Sequence, residues 1–188
     1  ISIHKNQLLT DALAGSAPRG KTEAEDANLA KGLLNSEKDI REHQVVIDFI
    51  VDRLSKLGIT PDFSPVPRLL QLSNIQHLWT PITARIPADI HLLKILAQLH
   101  PTPAVAGVPR DIALEQIRRC ESGDRSLYAA PIGWIDRRGN GEFAVGIRSA
   151  LIDGDRAILY AGAGIVAGSE PEKELAEIHL KLQPLLNA

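Results

Sequence analysis

Residues 160–181 read YAGAGIVAGSEPEKELAEIHLK and combine the end of a strand, a glycine-rich segment and the start of a helix. The run Ala157–Tyr160 has the composition of a strand. The small residues Ala161–Gly164 let the backbone come close to a ligand or to a neighbouring chain segment. Ser169 and Glu172 predict a helix that begins here, because a serine N-cap followed three residues later by glutamate forms a capping box.

The predicted helix carries two parallel stripes of side chains. Glu174, Glu177 and Lys181 share one stripe at 3.6 residues per turn. Leucine and isoleucine side chains form a second stripe beside it, which predicts packing into a core: Leu175, Ile178, Leu182 and Leu185. The polar stripe also fits a solvated face, because a Glu177–Lys181 pair stabilises a helix by about 0.2–0.5 kcal/mol.

A second acidic helix is predicted from a Ser36 cap to about Leu57, closed by Gly58. Its apolar stripe contains Val46, Phe49, Ile50 and Leu57, and on the same stripe lie Asp39 and Glu42. Asp39 also fits a capping box with Ser36, whereas a carboxylate at Glu42 needs a cation or hydrogen-bond donors. Two acidic helices together offer oxygen ligands of the kind that Mg²⁺ prefers.

Other residues suggest a site for a small anion. Arg148 is predicted in the middle of a strand, where the small neighbours Ala144 and Gly146 leave room for a ligand beside the guanidinium. An outward-facing arginine on a half-exposed strand fits the same pattern. His77 lies in a predicted strand and also fits a hydrogen-bonded structural role, and Tyr128 also fits core packing.

Composition narrows the class of protein. The 188 residues suffice for one domain. The net charge is -2 and both signs are mixed along the chain, so no basic stretch indicates nucleic-acid binding. The single cysteine, Cys120, excludes an internal disulfide and fits a reducing, cytoplasmic compartment. No run is long and apolar enough to predict a membrane span. The chain contains no methionine and opens in a strand-like run, Ile1–His4, so we expect it to be a piece of a longer protein.

Strand pairs alternate with helix pairs without a regular βαβ rhythm, which predicts an α+β fold with largely antiparallel sheet. The predicted elements are a hairpin over 1–14, a loop over 15–20, helices over 22–34 and 36–57, strands over 66–72 and 75–86, helices over 89–99 and 110–121 separated by the loop 100–109, and strands over 128–136, 142–152 and 157–160.

Several motifs, in chain order, resemble the chorismate-utilising enzymes, which include anthranilate, aminodeoxychorismate, isochorismate and salicylate synthases. They are HPTPAVAG at 100–107, YAAPIGWID at 128–136, FAVGIRSA at 143–150, AGAGIV at 161–166 and SEPEKE at 169–174. The resemblance covers essentially the whole chain. The form PIGW at 131–134 is most similar to that of isochorismate synthases.

The resemblance implies a single chorismate-binding domain of αββα sandwich type, of which residues 1–188 form the C-terminal part. It implies that Mg²⁺ is bound directly by Glu42 and Glu177, with Asp39 and Glu174 holding its waters. It implies a substrate site for chorismate or isochorismate, made by Gly15, His77, Ala104, Tyr128, Arg148, Gly162, Gly164 and Lys181. The implied reaction is a magnesium-dependent isomerisation, with water added at C2 of chorismate and the C4 hydroxyl lost.

One departure from the family pattern concerns the acid and the base. The family's general base is a lysine and its general acid a glutamate, and no residue here matches either, so both are expected upstream of Ile1. We therefore expect this chain alone to be inactive. Salicylate or anthranilate-type synthesis and a non-catalytic binding fragment stay open as alternatives. The motifs also leave open the pathway served, whether quinone, siderophore or salicylate, and the oligomeric state.

Overall fold

A computed structural model describes residues 1–187 and has the predicted α+β architecture. Its helices are α1 Glu23–Leu34, α2 Glu37–Ser55, α3 Leu92–Leu99, α4 Pro103–Ala106, α5 Arg110–Cys120 and α6 Pro171–Leu186. Its strands are β1 Ser2–His4, β2 Gln7–Pro18, β3 Pro61–Phe63, β4 Arg68–Gln71, β5 Ile75–Arg85, β6 Pro131–Ile135, β7 Gly141–Val145, β8 Ser149–Asp153 and β9 Arg156–Tyr160.

Every strand pair of the described residues is antiparallel. Within residues 1–187, one sheet has seven strands in the order β3-β5-β2-β1-β7-β6, with β4 also paired to β5. The hairpin β8–β9 forms a separate small sheet. Among the same residues, no helix combines the length and apolar composition that crossing a bilayer requires.

Helix α2 packs against β2 and β5 and supplies much of the core. The apolar side chains Val46, Ile47, Ile50 and Leu54 are buried on the face of α2 that meets the sheet. This burial holds the first turns of α2, which carry Asp39 and Glu42, beside the end of β2. The predicted Ser36 cap is confirmed, because its side chain accepts a hydrogen bond from the Asp39 amide at 3.3 Å.

The predicted loop over 15–20 is wrong for residues 15–18, because β2 continues to Pro18. Gly15 adopts a φ of +76°, and the pairing register with β5 shifts between Ala14 and Ser16. An added Cβ at Gly15 would lie 3.0 Å from the Cβ of Asp39. Glycine is therefore required on two grounds, its left-handed backbone and the close approach of α2.

The single strand predicted over 142–152 is also wrong. It divides into β7 and β8, and Arg148 lies in the break with a φ of +50° instead of in mid-strand. The break follows from backbone hydrogen bonds at Gly146, whose N–H donates to Ala130 O and whose carbonyl accepts from Ala129 N, both at 2.8 Å. These bonds turn the chain back against the segment before β6, so the predicted strand begins at Pro131 and not at Tyr128.

Helix α6 begins near the predicted position but with a different cap. Glu170 occupies the N-cap without a side-chain bond, and Ser169 Oγ instead accepts from the Val166 amide at 3.1 Å. The predicted apolar stripe is wrong at Leu175, which is 53% exposed, whereas Glu174 is only 6% exposed. Glu174 is buried because it pairs with α2, where Lys38 Nζ donates to Glu174 Oε1 at 2.8 Å.

The other predicted boundaries differ by a few residues. Helix α2 ends at Ser55, since the chain turns through Gly58 with a φ of +72°. Helix α3 begins after a His91 cap rather than at Asp89. The predicted loop over 100–109 contains the short helix α4.

A side chain from the β4–β5 turn fixes α6 in place. Pro184 lies inside α6 and has no backbone N–H, so the Leu180 carbonyl lacks its usual helical donor. Asn74 Nδ2 supplies the missing hydrogen bond to Leu180 O at 2.8 Å. The turn thereby holds the helix that carries Glu177 and Lys181.

Asn74→Ala is expected to destabilise the protein by about 1 kcal/mol, because a partly buried carbonyl loses its donor. The same change should cost almost nothing in a Pro184→Ala background, where a helical N–H satisfies Leu180 O instead. Denaturant unfolding of the four proteins of this double-mutant cycle measures the coupling. Equal costs in both backgrounds would show that the Asn74 bond does not compensate for Pro184.

Candidate metal and anion site

The predicted site residues meet at one cavity of about 370 Å³. All of the predicted substrate residues line it, together with the two predicted direct metal ligands: Gly15, Glu42, His77, Ala104, Tyr128, Arg148, Gly162, Gly164, Glu177 and Lys181. Asp39 and Glu174 are not among the lining residues. The cavity is therefore lined by several segments between β2 and α6. These two elements are more than a hundred residues apart in the sequence.

Arg148 is held by a histidine in the cavity wall. Its Nη2 nitrogen lies 2.8 Å from His77 Nε2, and His77 Nδ1 lies 2.9 Å from Ser16 Oγ. Burial, with Arg148 and Lys181 nearby, lowers the pKa of His77 to about 4, so the ring is neutral at neutral pH. Arg148 Nε is buried and has no partner within residues 1–187. A guanidinium with an unused buried donor is suited to a carboxylate ligand.

Lys181 links α6 to the glycine-rich segment. Its Nζ donates to the Gly162 carbonyl at 2.9 Å and lies 2.6 Å from Glu177 Oε1. An added Cβ at Gly162 would lie 2.9 Å from the hydroxyl oxygen of Tyr128. The sequence predicted that the backbone of Ala161–Gly164 would come close to a neighbouring group. At Gly162 that group is the side chain of Tyr128, in the cavity wall.

Glu42 is a partly buried carboxylate of the cavity wall, and its pKa is raised. Burial raises its pKa, although a hydrogen bond from the Gly15 backbone N–H lowers it, and the charges of Asp39 and Glu177 raise it further. None of its oxygens lies within 4.0 Å of a cationic side chain of the described residues. An added Cβ at Gly164 would lie 3.1 Å from Glu42 Oε1. A half-buried carboxylate with a raised pKa is a candidate cation ligand.

Asp39 and Glu174 lie outside the cavity wall and are engaged elsewhere. Asp39 Oδ2 accepts a hydrogen bond from Ser36 Oγ. Glu174 Oε1 lies 2.8 Å from Lys38 Nζ, with only 8% of its side chain exposed. Burial alone would raise the pKa of Glu174, but hydrogen bonds from Lys38 and Ser169 outweigh it and lower that pKa. Neither residue lines the cavity, although Asp39 lies near enough to Glu42 to raise the pKa of that carboxylate.

The donor set fits Mg²⁺ better than a softer metal. Residues 1–187 contain no cluster of three histidine, cysteine or carboxylate side chains placed to hold an ion. Mg²⁺ does not require one, since it is bound by one or two carboxylates and completes its shell with water and substrate oxygens. Glu42 and Glu177 supply that number at this cavity, although Glu177 would have to share its carboxylate between the ion and Lys181.

Three residues of the site were not identified from the sequence. Ser16 contacts His77, Lys38 neutralises Glu174, and Arg125 lies with its guanidinium carbon 5.5 Å from the centre of the Tyr128 ring. Lys38 lies one turn before Glu42 on α2, which is a usable signal. Nothing in the local sequence marks Ser16, because its position depends on the bulge at Gly15.

Comparisons with known proteins agree on one family. Residues 1–188 match the family model described as chorismate binding enzyme. A salicylate biosynthesis isochorismate synthase from Pseudomonas aeruginosa is 45% identical over 100% of this chain and 40% of its own length. A structure from Bacillus anthracis, assigned as a 2,3-dihydroxybenzoate-specific isochorismate synthase, has a TM-score of 0.94 and 38% identity over 99% of this chain and 50% of its own.

The same fold occurs in a more distant relative. Anthranilate synthase component I from Streptococcus pneumoniae has a TM-score of 0.81 at 25% identity, over 97% of this chain and 40% of its own. The chain thus spans half or less of the length of each of these three proteins.

Proposed function

Because the chain belongs to the family of chorismate-binding enzymes, we propose that it forms the metal- and carboxylate-binding part of an isochorismate synthase. The observation that carries this proposal is the shared cavity. Arg148 and Lys181, which suit carboxylates, and Glu42 and Glu177, which suit a divalent cation, all line it. The greater identity with isochorismate synthases than with anthranilate synthase component I supports this assignment within the family.

Chorismate carries two carboxylates, and the cavity offers two kinds of partner for them. The guanidinium of Arg148 offers several N–H donors and Lys181 a compact charge, so each binds a carboxylate in its own geometry. Glu42 and Glu177 would hold Mg²⁺, which when bound neutralises the ring carboxylate and orients the ring. Apolar atoms of Leu13, Ala104 and Ile147 also line the cavity and can contact the ring.

The proposed reaction of the whole enzyme adds water at C2 of chorismate and removes the C4 hydroxyl. It needs a base that takes a proton from water and an acid that protonates the leaving hydroxyl. Lys5 and Glu23 are exposed and do not line the cavity, so neither is assigned these roles. In this proposal, residues 1–188 bind and orient the substrate, and the acid and base lie outside them.

The purified chain is therefore expected to bind chorismate in the presence of Mg²⁺ without converting it. Calorimetric titration measures binding, and chromatography of the same mixture after long incubation measures isochorismate, salicylate or, with ammonia, anthranilate. Turnover at an ordinary enzyme rate by this chain would contradict the division of the site. Absence of any chorismate binding would contradict the proposed function itself.

A further inference from the structure

The direction of each hydrogen bond around His77 follows from the chemistry of Arg148. A guanidinium has N–H donors and no acceptor, and it stays protonated in proteins. Since Arg148 Nη2 lies 2.8 Å from His77 Nε2, the histidine Nε2 must present its lone pair to the arginine. In a neutral imidazole the proton is then on Nδ1. The low pKa of His77, about 4, agrees with a neutral ring.

Ser16 is placed to receive that proton. Its Oγ lies 2.9 Å from His77 Nδ1, so the ring N–H donates to the hydroxyl oxygen. The bulge in β2 creates this contact, because the register shift after Ala14 sets Ser16 opposite His77 in the sheet. In regular pairing without the bulge, Gly15 would stand opposite the histidine and offer no side chain.

Two observations show how the guanidinium of Arg148 is held. It lies in the break between β7 and β8 with a φ of +50°, so no strand pairing orients its side chain. Its Nε is buried without a partner in the described part of the chain, which leaves that donor for a ligand. The hydrogen bond to His77 Nε2 is the contact that sets the direction of the guanidinium.

We propose that Ser16 is a positioning residue, which fixes His77 in its Nδ1–H tautomer and thereby holds Arg148 ready for a substrate carboxylate. The ligand named here rests on the proposed function. In the opposite tautomer an Nε2–H group would face the N–H groups of Arg148, and the two donors would repel each other. The loss of one oriented hydrogen bond corresponds to about a tenfold loss of chorismate affinity.

Two measurements on the purified chain test this role. Imidazole ¹⁵N NMR reports which ring nitrogen of His77 is protonated, and titration reports chorismate affinity in the presence of Mg²⁺. The wild-type chain should show the Nδ1–H tautomer. Ser16→Ala should give a mixture of the Nδ1–H tautomer and an Nε2–H tautomer that has lost its contact with Arg148, and an affinity lower by about tenfold. Ser16→Thr should restore both, and Ser55→Ala, at an exposed serine of α2, should change neither.

A second background separates this role from a general structural one. In His77→Gln the side-chain carbonyl accepts from Arg148 without any tautomer, so adding Ser16→Ala should cause no further loss of affinity. An Nε2–H tautomer in the wild-type chain, or an equal loss from Ser16→Ala in both backgrounds, overturns the proposal. Failure of the wild-type chain to bind chorismate would instead reject the proposed function, while the NMR result would still decide the tautomer.

Discussion

Glu42→Gln is expected to weaken Mg²⁺ binding by about 100-fold or more, because even residues that only support metal ligands contribute about 10–100-fold. The change keeps the shape of the side chain and its acceptor for the Gly15 amide. It removes a charge that burial and two neighbouring carboxylates oppose, so the metal-free protein should become more stable. Calorimetric titration with Mg²⁺ and thermal melts without it measure the two effects.

Glu177→Gln is expected to change Mg²⁺ binding in the same direction as Glu42→Gln but to change the stability of the metal-free protein differently. It should also abolish high-affinity Mg²⁺ binding, but it breaks the ion pair with Lys181, whose Nζ lies 2.6 Å from Glu177 Oε1. Its melting temperature without metal should therefore rise less than that of Glu42→Gln, or fall. Glu172→Gln, at an exposed position of the same helix, is the matched control and should leave Mg²⁺ binding unchanged. Full Mg²⁺ affinity in Glu177→Gln would reject the shared-ion site.

Arg148→Ala is expected to weaken chorismate binding by about 30- to 1,000-fold. The loss of a charge-assisted, partly buried carboxylate pair is worth about 2–4 kcal/mol, which converts to that range. Titration of chorismate into both proteins, each saturated with Mg²⁺, gives the ratio of affinities. Arg156→Ala removes an exposed arginine from β9 and serves as the control, with an expected change of less than threefold.

The reason for the size of this effect is the environment of Arg148. Its Nε is buried without a partner in residues 1–187, and one nitrogen of its fork is already held by His77. The guanidinium is thus oriented before a ligand arrives, which reduces the entropy lost on binding. An affinity of Arg148→Ala equal to that of the control would show that Arg148 does not bind a carboxylate of chorismate.

The sequence predicted the fold class and the positions of the charged residues better than it predicted their surroundings. Glu42 follows from helical periodicity on α2, because its projection falls on the apolar stripe. Arg148 was singled out because its predicted strand neighbours are small, but its placement in mid-strand was wrong, since hydrogen bonds at Gly146 end β7. Such tertiary bonds leave no trace in local alternation of polar and apolar residues.

Helix α6 shows the same limit of local patterns. Its periodicity predicted that Leu175 would be buried and Glu174 would lie at the edge, whereas the structure exposes Leu175 and buries Glu174 against Lys38. Contacts with other parts of the fold help to set the orientation of this helix, among them those from Lys38 to Glu174 and from Asn74 to the Leu180 carbonyl. Ser16 could not be identified at all, because a one-residue bulge decides which side chain of β2 faces His77.

We propose that the carboxylate-binding and metal-binding groups of this cavity serve one ligand together. The most direct test is the affinity of the chain for chorismate, measured by titration with Mg²⁺ and again with a chelator in its place. If the ion and the substrate carboxylate share the site, Mg²⁺ should tighten chorismate binding by about tenfold or more, and Glu42→Gln should remove this dependence. An affinity that is the same with and without Mg²⁺ in the wild-type chain would contradict the account.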